Sequence, residues 1–122
     1  LHPGETYRVL GASVGTHSQA PWKKFYDEFH RARIKKGVRV QMLSYEAAYR
    51  EIRQRFIDEG DPLLEVSEIR PLRRTQLAPL QVNLFKDRAL LVLYGEEPTI
   101  ITLDRKEVFD GFSTHFEELW NR

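Results

Sequence analysis

Apolar and polar positions along this chain change period several times, and each change marks an element. TYRVLGAS, 6 to 13, alternates and reads as a strand ending at Gly11. Beyond GTHSQAP, Trp22, Phe25 and Phe29 recur at spacings of three and four, with Tyr26 and Ile34 widening the stripe. That is a helix, with Ser18 as N-cap, Pro21 in its first turn, and Gly37 after Lys35 and Lys36 as its stop. VRVQML, 38 to 43, is the next strand, so residues 6 to 43 form a β-α-β unit with parallel strands and a right-handed crossover. A second helix runs from Tyr45 to about Glu59, turning Ala48, Ile52 and Phe56 or Ile57 inward and Arg50, Arg53 and Arg55 outward. Gly60, Asp61 and Pro62 end it.

The second half is richer in strands. LLEVSEIR, 63 to 70, alternates and predicts a third strand, followed by a proline-bracketed loop over 71 to 79. QVNLF and ALLVLY are joined at Lys86-Asp87-Arg88 as a hairpin. TIITL follows a turn at 95 to 98, and the unbroken apolarity of ALLVLY predicts a central strand covered on both faces. The last helix begins at Asp104, where Asp104 and Glu107 form a capping box. Its stripe of Val108, Phe109, Phe112, Phe116, Leu119 and Trp120 must pack on the sheet. The order β-α-β-α-β-β-β-β-α predicts a single α/β domain, a mixed sheet of about six strands with flanking helices.

QVNLFKDR, 81 to 88, breaks its own pattern. Val82 and Leu84 point one way, and Gln81, Asn83 and Phe85 the other. Two amides on one strand face are solvated, line a pocket, or occupy a site that once held other residues.

Composition narrows the chemistry. The chain has 122 residues, 41% of them hydrophobic and 30% charged, which fits one globular domain. Lys plus Arg is 19 and Asp plus Glu is 18, a net +1, so no basic field argues for nucleic acid. The absence of cysteine removes disulfides, thiolate catalysis and cysteine zinc sites. No apolar run approaches the ~18–20 residues that span a bilayer, and no signal peptide is visible, so no membrane partner and a cytoplasmic location are expected. The start LHPGETYRVLG lacks Met and enters a strand at once, which reads as a fragment of a longer protein.

The loop GASVGTHS, 11 to 18, joins a strand end to a helix N-terminus, where ligands gather in parallel α/β sheets. Ser13, Thr16, His17 and Ser18 could hydrogen-bond one there; an ordinary polar connection is the other reading. His2, His17, His30 and His115 show no metal-ligand spacing, so no metal or cofactor is expected. His30 and His115 read as satisfied helix-edge residues. Arg31, Arg33, Lys35, Lys36, Arg39, Arg70, Arg73 and Arg74 read as a solvated surface, interspersed with acids.

The strand-helix-strand start, the hairpin QVNLFKDRALLVLYGEEP and the ending STHFEELWNR together resemble the phospholipase D-like domain of TrmB-type transcriptional regulators. The resemblance covers nearly the whole chain. It implies half of a phospholipase D-like fold, a homodimer, a possible small-molecule effector, and DNA binding through an N-terminal winged helix outside 1 to 122. Phospholipase D enzymes carry H-x-K-x4-D followed by a glycine pair or Gly-Ser. That frame falls here on Gln81, Asn83, Arg88 and Gly95, and only the glycine matches. Gln81 stands where the nucleophilic His would be, and Asn83 where the phosphate-binding Lys would be. An amide can neither attack phosphorus nor protonate a leaving group. The resemblance therefore implies a catalytically silent domain with Gln81 and Asn83 as neutral hydrogen-bonding groups. An interaction module without ligand and a working phosphodiesterase are the other readings.

Overall fold

The computed structural model describes residues 4–12, 20–72, 80–93 and 99–122, with 20–23 as backbone only. The element order is the one the periodicities predict: β1 (Thr6–Ala12), α1 (Ala20–Lys36), β2 (Arg39–Tyr45), α2 (Glu46–Asp58), β3 (Ser67–Leu72), β4 (Leu80–Phe85), β5 (Arg88–Leu93), β6 (Thr99–Leu103) and α3 (Lys106–Trp120). The six strands form one mixed sheet in the order β3-β2-β1-β4-β5-β6. β1, β2 and β3 are parallel, as β-α-β connections require. β4 runs antiparallel to β1, and β4, β5 and β6 form a meander.

Alternation gives the sheet two unlike faces. The register lines up Leu43, Leu10, Val82, Leu91 and Ile101 in one row across five strands. Val82, Leu84 and Ala89 pack there against Phe116 and Trp120 of α3, with Val108, Phe109, Phe112 and Leu119 filling in around them. The row on the opposite face reads Met42, Val9, Asn83 and Leu90. Over β1 and β2 that face is closed by Ala48, Ile52 and Phe56 of α2.

The β4–β5 hairpin turns on two residues, Lys86 and Asp87, both in the left-handed region (φ 49° and 63°), so Phe85 faces Arg88 directly. That is the tight turn whose twist matches paired strands. Gly11 is the other backbone device. It sits at φ 85° in a bulge between Leu10 and Ala12, and a Cβ there would lie 3.0 Å from the Leu80 carbonyl oxygen.

Several expectations need correction. β3 begins at Ser67 and not at 63, because the buried Asp61 carboxylate accepts hydrogen bonds from the Glu65 and Val66 amides (2.8 and 3.1 Å) and curls 61 to 66 into a turn. The strand then continues through Pro71 to Leu72, part of the segment read as loop. α3 begins at Lys106 without the capping box: the Asp104 carboxylate pairs with Arg88 (3.0 Å), and Arg105, the N-cap residue, makes no side-chain cap bond. β5 is second from the edge, not central. Arg33, read as surface, is fully buried, and His30, read as helix-edge, is 4% exposed.

Candidate functional site

Between α1 and the sheet lies a cavity of about 490 Å³. Its floor follows from strand alternation. Tyr7 and Val9 of β1, Met42 of β2, Gln81 and Asn83 of β4, and Leu90 and Val92 of β5 all face the same side. Asn83 lies between Val9 and Leu90, and Gln81 is paired with Val92, so the two amides occupy the middle of that floor. Ile100 of β6 extends it to the sheet edge. Phe25, Tyr26, Phe29 and His30, on successive turns of α1, supply the opposite wall. Phe25 is 56% exposed and Ile100 48%, which places both at the mouth.

The amide pair is buried and self-paired. Gln81 Nε2 donates to Asn83 Oδ1 at 2.7 Å, and the two residues are 2% and 4% exposed. Asn83 is also hydrogen-bonded to the Tyr7 hydroxyl. Burial drives the Tyr7 phenol well above its ordinary pKa, the neighbouring Tyr26 adds to the rise, and the Asn83 bond opposes it. Burial raises Tyr26 as well. Both phenols therefore stay neutral at physiological pH.

His30 is neutral for a different reason. Arg33 Nε donates to His30 Nδ1 at 2.8 Å, which requires a lone pair on that nitrogen and leaves the proton on Nε2. The Arg33 guanidinium is otherwise committed to the carbonyls of Val38 and Val66 (3.2 Å each) and to Ser67 Oγ (2.7 Å), and it lies 5.0 Å from the Phe56 ring centroid. Burial lowers its pKa to about 10, against the pull of Asp61 and Glu59, and it remains a cation. Among the described residues no charged side chain lines the cavity.

The cavity settles where the two amides point: they line a pocket. Ser13, Thr16, His17 and Ser18, the other candidate ligand residues, lie outside the described residues, as does Gly95. Arg88, in the frame of the phospholipase D motif, is exposed on the hairpin and pairs with Asp104. Sequence reasoning missed the aromatic wall. Phe25, Tyr26 and Phe29 read as an ordinary core stripe, and only the register of β1 against β4 brings Tyr7 beside Asn83.

A second groove runs between the end of β3 and the end of α3, lined by Leu43, Leu72, Leu119 and Trp120. Arg70 there donates to the Trp120 carbonyl (2.6 Å) and stacks on its ring (4.1 Å), which ties the last helix to the sheet. Among the described residues no group of three or more His, Asp and Glu could hold a metal, and no helix is long and apolar enough to cross a membrane.

Fold and cavity together define a mixed α/β domain with one sheet face packed and the other partly open to a small-molecule-sized hollow. Among solved structures, the chain is similar to TrmBL2, described as an archaeal chromatin protein that shows a novel mode of DNA binding. The TM-score is 0.60 at 12% identity, over 98% of this chain and 44% of that one, so the likeness is one of fold and the chain spans less than half of its neighbour's length. No family model and no curated relative matches the sequence.

Proposed function

We propose that this chain is a non-catalytic, effector-sensing and dimerisation domain of a TrmB-like DNA-binding transcriptional regulator. The observation that carries the reading is the buried Gln81–Asn83 pair on the floor of a cavity of about 490 Å³. A volume in that range suits a small ligand. The fold shared with TrmBL2, itself described as DNA-binding, supports placing such a domain in a regulator. DNA contact would come from a winged helix elsewhere in the regulator, since this chain's net charge is only +1.

The chemistry of the lining supports the absence of catalysis. Amides offer no proton at a useful pKa, both phenols are held neutral, and His30 Nδ1 is occupied by Arg33. The test is operator binding by the full-length regulator against a metabolite panel. At least one metabolite is expected to change operator occupancy, and the Gln81→Leu/Asn83→Leu variant is expected to lose that response. An unchanged response in the variant would sink the sensing reading.

One observation favours a second reading, a protein-interaction module without ligand. The edge strand β6 carries Ile100 and Ile101, 48% and 42% exposed, with Leu93 38% exposed beside them, and no Lys or Pro guards its Thr99–Leu103 span. Ile101→Lys is expected to turn a dimer into a monomer in sedimentation analysis if β6 is the contact.

A further inference from the structure

We infer that the cavity under α1 takes a neutral, mainly aromatic small molecule bearing one uncharged hydrogen-bonding group, and neither a phosphate ester nor a sugar. The inference rests on the sensing reading for its biological meaning and concerns the same site.

Charge comes first. An anion withdrawn from water needs a cation or several aimed N–H groups. Among the described residues the lining holds Tyr7, Val9, Met42, Leu90, Val92 and similar side chains, and no Lys or Arg. Arg33, which donates to the lining residue His30, also donates to Val38, Val66 and Ser67, so an incoming phosphate would have to strip it from four acceptors. A cationic ligand finds no carboxylate among the described lining either.

Polarity is next. The amides Gln81 and Asn83, with the Tyr7 hydroxyl beside them, form one polar patch at mid-floor. Around it the floor is Val9, Met42, Leu90, Val92 and Ile100. A sugar carries hydroxyls on every edge, and those facing this aliphatic floor would lose water without gaining partners. A ligand with one hydroxyl, carbonyl or amide places it on the patch and leaves only carbon against carbon. Each amide side chain carries both donor and acceptor atoms, so a ligand group of either polarity can exchange into the Gln81–Asn83–Tyr7 network.

Shape supplies the aromatic preference. Phe25 and Phe29 are nearly parallel (15°, centroids 6.5 Å apart), and Tyr7 meets Phe29 at 5.5 Å. Phe25 also meets Tyr26 edge-on at 5.5 Å and stands 56% exposed at the mouth. A planar ring entering there would face a connected array of ring faces and edges and cover the exposed Phe25. The hollow lies between α1 above and the pleated floor below and opens beside Phe25 and Ile100, which fits a compact molecule better than a protein surface.

The probe is N-phenyl-1-naphthylamine, neutral, aromatic, and fluorescent when shielded from water, with a single N–H. Titrated into the chain, it is expected to give saturable fluorescence at one site and to shift the Gln81 and Asn83 side-chain amide resonances. Leu90→Trp, which fills the floor, is expected to weaken binding about tenfold or more. Ile100→Trp at the exposed mouth is the second variant should the first fail to fold. Millimolar inorganic phosphate or glucose is expected to leave the probe bound. No saturable binding, binding untouched by either folded variant, or displacement by phosphate or glucose would each overturn the inference. Displacement by glucose or phosphate overturns the ligand class and leaves sensing standing. Probe binding that never alters operator occupancy by the full-length regulator upholds the ligand class and overturns sensing.

Discussion

The two faces of strand β4 obey the same alternation and end in opposite conditions. Val82 and Leu84 face α3 and are sealed against Phe116 and Trp120. Gln81 and Asn83, their immediate neighbours, face a hollow that α1 leaves open. The α3 face is a dry core whose value lies in dispersion contacts and apolar area removed from water. The α1 face keeps polar groups buried over empty volume, which contributes less to stability and leaves room for a ligand. One strand thus builds a sealed core with its even positions and a cavity floor with its odd ones.

Substitutions should separate the faces by the size of their effects. Phe116, 1% exposed and stacked on Trp120 at 5.6 Å, marks the packed side. Phe116→Ala is expected to cost about 3–5 kcal/mol in urea unfolding, the usual range for a buried Phe. Arg33 belongs to the other side yet ties α1 to the starts of β2 and β3. Arg33→Ala is expected to cost about 3 kcal/mol, because the Val38 and Val66 carbonyls lose their buried donor. A cost near zero would show that water reaches these groups.

The amides should behave as a pair. Asn83→Leu alone deprives Gln81 Nε2 of its acceptor and is expected to cost about 1–2 kcal/mol. The double change with Gln81→Leu removes both ends of the amide–amide bond, while the Tyr7 hydroxyl loses Asn83 in either variant, so it is expected to cost no more than the single one. Strict additivity in a double-mutant cycle would contradict the self-paired arrangement.

The last difference is a pH slope. Burial, with a hydrogen bond to Asp27 and its charge, lifts the Glu59 carboxyl to about 8 from 4.5, against Arg31 and Arg33. The folded state therefore holds a proton that the unfolded state releases between those values, so stability falls as pH rises from 4.5 to 8. Thermal melts across that window should show the decline. Glu59→Gln should flatten it, and an unchanged slope would assign the decline to other groups.

Periodicity made the element order legible, since each helix and strand had to bury one stripe. The α3 stripe from Val108 to Trp120 needed no tertiary information, and neither did the hairpin turn at Lys86 and Asp87. What escaped was whatever depended on a distant partner. The alternation over 63 to 70 looked like one strand, but Asp61 captures the Glu65 and Val66 amides and delays β3. Arg33 sat in a run of basic residues, and only Val66 and Ser67, over thirty positions away, reveal it as buried. Gln81 and Asn83 stood out as anomalous, yet their surroundings came from β1, β5 and α1 together. The unbroken apolarity of β5 had two causes, a core on one face and a cavity wall on the other.

The Arg33–His30 contact also bears on how the hollow would behave in a living cell. An imidazole facing a binding site usually makes occupancy drift with acidity. Here Arg33 Nε claims the one nitrogen that could accept a second proton, and a protonated ring would set two N–H groups head to head at 2.8 Å. The guanidinium acts as a chemical guard: it fixes the tautomer of the imidazole in the cavity wall and holds that ring neutral.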